Sequence, residues 1–159
     1  MEKNRAFTLI ESLIAIFLVA VGVAGAFILV NQTVSSGRNL TSRIIANYLV
    51  QEGMEIVRYV RDTNLVKGLN WSDGLDSCGA GCEADYTSIS LPPFTGQKFK
   101  IESGFYKYSL VAGAETPFWR KITIGTAELP NKIEVLVEVF WLERNQTNET
   151  SAKEFLYKW

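Results

Sequence analysis

The sequence predicts an α+β protein in which one long N-terminal helix packs on a C-terminal antiparallel sheet. Residues 7–66 contain no proline, and their apolar residues form first an unbroken run and then a helical repeat. From Lys98 onward, apolar and polar residues alternate, which is typical of strands with one buried face. The 159 residues suit one membrane helix and one globular domain of about 100 residues.

Residues 7–30 form an apolar run of 24 residues that contains a single charged residue, Glu11. A helix needs about 20 apolar residues to cross a bilayer core of roughly 30 Å, so this run is long enough to span a membrane. Lys3 and Arg5 precede the run, and basic residues favour the cytoplasmic side. We therefore expect a single-pass inner-membrane protein with a cytoplasmic N-terminus and an extracytoplasmic C-terminal domain.

Glu11 is the most informative residue of this run, because an ionised carboxylate in hydrocarbon costs roughly 2.5 kcal/mol or more and usually has a functional partner. One turn into the helix, it could also reach the membrane interface or complement the helix dipole. The leader ending at Ala6 and the following Phe7-Thr8-Leu9-Ile10-Glu11-Ser12-Leu13-Ile14 resemble the N-terminus of type IV pilins and of the pseudopilins of type II secretion. The family usually has glycine where this chain has Ala6.

The resemblance implies that residues 1–6 are a leader peptide, that a prepilin peptidase cuts between Ala6 and Phe7, and that the new amine of Phe7 is methylated. It also implies that Glu11 pairs with the N-terminal ammonium of a neighbouring subunit in a filament core. The implied partners are other pilin or pseudopilin subunits, the peptidase and methylase, an inner-membrane assembly platform and membrane lipid. The implied fold is pilin-like, and the implied product is a minor pilin or pseudopilin of an extracellular type IV pilus or a type II secretion-like pseudopilus.

Two other functions of the same segment remain open. An ordinary secretory signal would be cut after Ala24-Gly25-Ala26, although Glu11 interrupts its apolar middle and apolar residues continue beyond the cut. An uncleaved single-span anchor would instead hold an extracytoplasmic binding module that recognises a ligand through an aromatic sheet face. This module is the main alternative to a filament subunit.

Residues 31–66 are predicted to continue the helix as an amphipathic segment, with 7–30 as its membrane or filament half. The apolar residues expected to form its buried face are Ile44, Ile45, Tyr48, Leu49, Ile56, Val57 and Val60. One helix from Phe7 to about Val66 would extend about 90 Å. Gly22, Gly25 and Gly37 are expected weak points, because glycine costs roughly 1 kcal/mol in a helix interior. Close packing between helices explains Gly22 and Gly25 equally well.

Residues 67–97 are predicted to form an irregular connection. Cys78 and Cys82 lie there in Cys-Gly-Ala-Gly-Cys, which in an exported domain predicts a small disulfide loop that shapes a local turn. Three residues between the thiols do not fit the usual redox motif, and no further soft metal ligands lie nearby. The acidic residues of this connection are Asp73, Asp76, Glu83 and Asp85. Their spacing matches no calcium-binding loop, so no metal site is predicted.

Residues 98–159 are predicted to form the antiparallel sheet that completes the globular domain. The clearest strand runs from Ile133 to Leu142, and a second alternating stretch runs from Phe118 to Ile124. The side chains expected to face the helix from the first of these are Ile133, Val135, Val137, Val139 and Trp141. Residues 145–151 are predicted to be a polar connection, and residues 155–159 a last strand with Trp159 capping the core.

The composition also excludes classes of function. The chain contains no histidine, which excludes histidine triads, histidine zinc sites and imidazole acid–base chemistry. We therefore predict no enzyme, no catalytic residue and no cofactor. The formal net charge of −1 does not favour a nucleic-acid partner. Aromatic and basic residues interleave at 98–100, 106–108 and 118–121, but alternating strands produce the same pattern.

Overall fold

The computed structural model describes residues 8–108, 113–126 and 131–158. Within these residues it has one long helix, α1 (Leu9–Val66), a short 3₁₀ helix (Asp76–Cys78) and six strands, all paired antiparallel. This arrangement confirms the predicted α+β class. The chain divides into two compact units, Met1–Thr41 and Ser42–Trp159, which are called here the N-terminal unit and the globular unit.

The described part of the N-terminal unit is helical and has no core of its own. Its large apolar side chains, from Leu9 to Leu40, are between 52% and 80% exposed. The helix passes through Gly22, Gly25 and Gly37 without an interruption. Apart from the adjacent residues and the helix's own backbone, no atom of the described chain lies within 4 Å of where a side chain at these glycines would begin. All three positions are therefore open in the isolated chain.

In the globular unit, one face of α1 is buried. This face is centred on Leu49, Gly53 and Val57 and follows the helical repeat. The prediction was correct for Leu49, Ile56, Val57 and Val60, but it was wrong for Ile44 and Tyr48, which are 47% and 67% exposed. At 100° per residue, these two lie on the side of the helix opposite Gly53, so they cannot reach the same core.

The strands form two three-stranded sheets. The first contains β1 (Lys100–Glu102), β2 (Phe105–Lys107) and β3 (Ala114–Glu115) in the order β2-β1-β3. The second contains β4 (Phe118–Thr126), β5 (Lys132–Glu143) and β6 (Gln146–Tyr157) in the order β4-β5-β6. The second sheet covers the buried face of α1 in the globular unit, and the two come so close that a methyl group added to Gly53 would lie 2.8 Å from Val137 Cγ1.

The alternation of β5 is confirmed residue by residue, because every second side chain from Ile133 to Trp141 is buried. The polar connection predicted for residues 145–151 was wrong, since β6 already begins at Gln146 and pairs with β5 over its whole length. Only Arg144 and Asn145 form the turn, and both have positive φ, 49° and 63°. Such a two-residue turn matches the twist of the strands it joins. Trp159 lies outside the described residues.

Candidate functional site

The described part of α1 begins with a capped turn next to Glu11. The backbone N–H of Glu11 donates to Thr8 Oγ1 at 3.3 Å, and the backbone N–H of Ser12 donates to the Thr8 carbonyl at 3.2 Å. Thr8 is thus the N-cap, and Glu11 is the third helical residue, the position of the acid in a Thr-x-x-Glu capping box. The capping role of Thr8 was not predicted, although this spacing is visible in the sequence.

Glu11 is exposed and lies in the first turn of α1. A carboxylate there complements the partial positive charge of the helix N-terminus, which is the alternative role considered for Glu11 in the sequence analysis. No hydrogen bond or ion pair reaches its carboxylate from residues 8–108, 113–126 and 131–158. Among the described residues, the Glu11 carboxylate therefore interacts with the helix dipole alone, and it is free to pair with a cation of another molecule.

Beyond Thr8 and Ser12, the helix around Glu11 is apolar as far as Val30. By length and composition α1 is able to cross a membrane, and none of its apolar window is buried within the chain. Exposed apolar surface of this extent is stable only when lipid or another protein covers it. Glu11 is thus a single acidic group on a surface that requires an apolar environment, which is the situation in which a charge usually meets a partner.

Ala6 and Phe7, the predicted cleavage and methylation site, lie outside the described residues. Cys78 and Cys82 are joined in the structure by a disulfide, with their Cα atoms 5.2 Å apart, and both residues are buried. The loop that they close pairs with the edge of β4, because the backbone N–H of Cys82 donates to the Ile122 carbonyl at 2.7 Å and Ile122 donates in return at 2.8 Å. The loop therefore also protects a sheet edge, a role beyond the local turn that the sequence suggested.

Arg120 is the main feature of the globular unit that the sequence did not indicate. Its side chain is completely buried, and its guanidinium donates to the Leu49 carbonyl at 2.7 Å, to Glu52 Oε1 at 3.2 Å and to the Ala84 carbonyl. It also lies 5.1 Å from the centre of the Phe99 ring. One cation of β4 thus joins α1, the irregular connection and the ring of Phe99, which precedes β1. Burial lowers the pKa of Arg120, and the charge of Glu52 opposes that effect.

The buried acids of the irregular connection bind protein groups. Asp85 accepts hydrogen bonds from the backbone and hydroxyl of Thr87 and from the backbone of Tyr108, and Glu83 accepts two from Thr95. Burial alone would raise the pKa of Asp85, but the hydrogen bonds of Thr87, Tyr108 and Ser88 hold it below the ordinary value. Burial raises the pKa of Tyr108. No group of metal ligands forms among the described residues.

The interleaved aromatic and basic stretches are partly buried in the described structure. Phe99, Phe118 and Arg120 lie in the core, where they are inaccessible to bases and phosphates. Trp119 stacks on Phe140 on the outer face of the sheet, with ring centres 5.8 Å apart.

Comparison with protein families identifies the beginning of the chain. Residues 1–27 match the model described as the prokaryotic N-terminal methylation motif, the prepilin-type motif of type IV pilins and pseudopilins. The match confirms the resemblance found in the sequence and supports a type IV pilin-like precursor with a membrane-anchoring helix. The motif is one of structural subunits and not of an enzyme family. Searches of curated proteins and of solved structures gave no significant match.

Proposed function

We propose that the chain is a minor pilin or pseudopilin that is cut between Ala6 and Phe7, methylated on the Phe7 amine and assembled into a type IV pilus or a type II secretion-like pseudopilus. Before assembly it is held in the inner membrane by residues 7–30, with the globular unit outside. A prepilin peptidase and methylase process it, and an inner-membrane platform assembles it together with other subunits.

The observation that carries this proposal is an apolar helix without a core of its own, which is capped at Thr8 and bears one carboxylate, Glu11, within the methylation motif. In the membrane, lipid covers the apolar side chains. In a filament, helices of neighbouring subunits cover them, so burial is exchanged between two apolar surroundings rather than lost.

The charge of Glu11 favours the filament over the membrane in this exchange. An ionised carboxylate in hydrocarbon costs roughly 2.5–3.5 kcal/mol, and an opposite charge with hydrogen-bond donors offsets that cost. The free amine that cleavage creates at Phe7 is such a partner when it belongs to a neighbouring subunit. Cleavage must therefore precede charge pairing, because Phe7 has no free ammonium group for Glu11 while the leader is attached.

The first test is the mass and N-terminal residue of the mature protein, isolated from its native membrane. A chain that begins at methylated Phe7 supports the proposal. A chain that begins at Phe27 would show a secretory signal. An intact Met1 would favour the membrane-anchored binding module, and both of these results contradict the proposed processing.

The second test separates assembly from processing. We expect Glu11→Gln to leave membrane insertion and cleavage unchanged and to reduce incorporation into the sheared filament fraction at least tenfold, since an unpaired ammonium then remains in the filament core. Glu55→Gln is the matched control, because Glu55 is an exposed acid on α1 of the globular unit whose ion pair with Arg58 contributes little. Equal incorporation of both variants would refute the role of Glu11.

A further inference from the structure

The two edges of the β4-β5-β6 sheet differ in whether other segments of the described chain pair with them. The β4 edge is occupied, because Cys82 exchanges two backbone hydrogen bonds with Ile122 and the Phe99 N–H donates to the Phe118 carbonyl at 2.8 Å. The β6 edge pairs with nothing in the described chain, although β6 is 12 residues long. It contains no proline, and its register with β5 is continuous without a bulge. Such a strand is a template for pairing with another strand.

The turn between β5 and β6 decides which backbone groups of β6 point outward. Glu143 and Gln146 flank the two-residue turn, and in this kind of hairpin the flanking pair is hydrogen-bonded. Hydrogen-bonded pairs then recur at every second residue, so the even-numbered residues of β6 bond to β5. The odd-numbered residues direct their N–H and C=O groups away from the sheet, and all six, from Thr147 to Tyr157, are exposed. The free edge is therefore accessible along its whole length.

The charges on this edge are complementary to themselves. When two copies of β6 are placed antiparallel with Ser151 opposite Ser151, Glu149 of each copy lies opposite Lys153 of the other. This register also places outward-pointing residues opposite each other, as hydrogen bonding requires. Registers centred on Glu149 or on Lys153 would oppose like charges, and those centred on residue 150 or 152 would leave the pair unmatched.

We propose that β6 is a self-docking edge, through which two copies of this chain pair antiparallel about Ser151 and join their sheets into one of six strands. Residues 147–155 of the two copies would exchange about ten backbone hydrogen bonds. Lys153 Nζ already lies 2.7 Å from Glu134 Oε1, so Glu149 of the second copy adds a further acid to that ion pair. Glu154 takes no part, because it points to the other face and binds Arg58 of α1.

The occupied β4 edge determines the symmetry of this contact. Two copies cannot pair β6 with β4, because the cysteine loop and Phe99 already use that edge. The pairing is therefore two-fold and closed, and it stops at two subunits, whereas a filament requires a contact that repeats. The self-docking edge thus does not depend on the proposed filament function. The pairing would join the globular units of two copies before they enter a filament or outside it.

The test uses the full chain purified in detergent and single added cysteines. Hydrogen-bonded antiparallel pairs have Cα atoms about 5.5 Å apart, which is within the range of a disulfide, so Ser151→Cys is expected to form covalent dimers on mild oxidation. Thr147→Cys is the matched control on the same edge, because the two Thr147 positions would lie roughly 27 Å apart. The native cysteines are buried in their own disulfide.

Charge exchange tests the register independently. Glu149→Lys and Lys153→Glu are each expected to weaken the dimer about tenfold in sedimentation equilibrium, and the double variant to restore it, because each contact occurs twice. Equal crosslinking of Ser151→Cys and Thr147→Cys would overturn the proposal. Crosslinking of Ser151→Cys to a different protein in native membranes, or no rescue in the double variant, would also overturn it. None of these results depends on whether Phe7 is the mature N-terminus.

Discussion

The two units of this chain meet the requirement for burial in opposite ways. In the described part of the N-terminal unit, the large apolar side chains from Leu9 to Leu40 are at least half exposed, so its surroundings must supply what covers them. The globular unit buries an apolar core of its own and even a cation, Arg120. One region is therefore defined by its environment and the other by its internal contacts. Substitutions in the two regions should accordingly be read out by different measurements.

Trp fluorescence measures the stability of the globular unit separately from that of the N-terminal unit. All four tryptophans, at positions 71, 119, 141 and 159, belong to the globular unit. Fluorescence-detected unfolding of the full chain in detergent therefore reports the stability of that unit alone. Membrane insertion, and the filament incorporation proposed above, would instead report the N-terminal unit.

Arg120→Ala is expected to have the largest effect. It leaves Glu52 without its buried partner and the carbonyls of Leu49 and Ala84 without a donor. We expect the free energy of unfolding of the globular unit to fall by about 3–5 kcal/mol, measured by urea denaturation, with membrane insertion unchanged. Arg58→Ala is the control, since that arginine forms more exposed ion pairs and should cost about 1 kcal/mol or less. Similar losses in both variants would show that burial of Arg120 is unimportant.

Alanine at glycine positions of α1 compares the two units directly. A methyl group at Gly53 would lie 2.8 Å from Val137 Cγ1 and 2.9 Å from Arg120 Cδ, whereas one at Gly22 would meet nothing within 4 Å. We expect Gly53→Ala to destabilise the globular unit by about 1–3 kcal/mol, because both neighbours are fixed. Gly22→Ala should leave the same unfolding curve unchanged while favouring the helix locally by up to about 1 kcal/mol. A stabilising Gly53→Ala would contradict the close approach of helix and sheet.

Asp85 is expected to give a smaller effect that depends on pH. Its pKa in the folded chain lies below the ordinary value of 3.8, so its charged form stabilises the fold above that pH, and this contribution disappears as the pH falls through and below it. Asp85→Asn should cost about 1 kcal/mol at pH 7 and progressively less as the solution is acidified. The check is the difference between the two unfolding free energies from pH 7 to pH 2. A constant difference would refute the charged role of Asp85.

The sequence predicted best what depends on local pattern. The motif around Glu11, the helix and the strand from Ile133 to Trp141 each rest on residues close in the chain, and the structure or the family comparison confirms them. The strand at Gln146 was missed because its residues are polar. β6 lies at a sheet edge with most of its side chains exposed, so pairing with β5 rather than burial holds it in place.

What the sequence could not show depends on distant partners. Arg120 occupies an inward position in an alternating strand, but the groups that make its burial tolerable lie 36, 68 and 71 residues away. Similarly, Ile44 and Tyr48 fit an apolar helical repeat, and only the position of the sheet determines which side of α1 is covered. The phase of a helix relative to its core is a tertiary property that an apolar pattern leaves ambiguous.

The separation of 71 residues between Leu49 and Arg120 also means that α1 is synthesised well before the strands that cover it. Synthesis proceeds at about 5–20 residues per second, so Val57 emerges roughly 4–16 s before Val139, which faces the same core. The β5–β6 hairpin, with its two-residue turn, closes within about 1–10 μs once it is present. We therefore expect one face of α1 to remain uncovered in the nascent chain until β5 and β6 are made, and a chain that stops before β5 to remain a target for proteolysis.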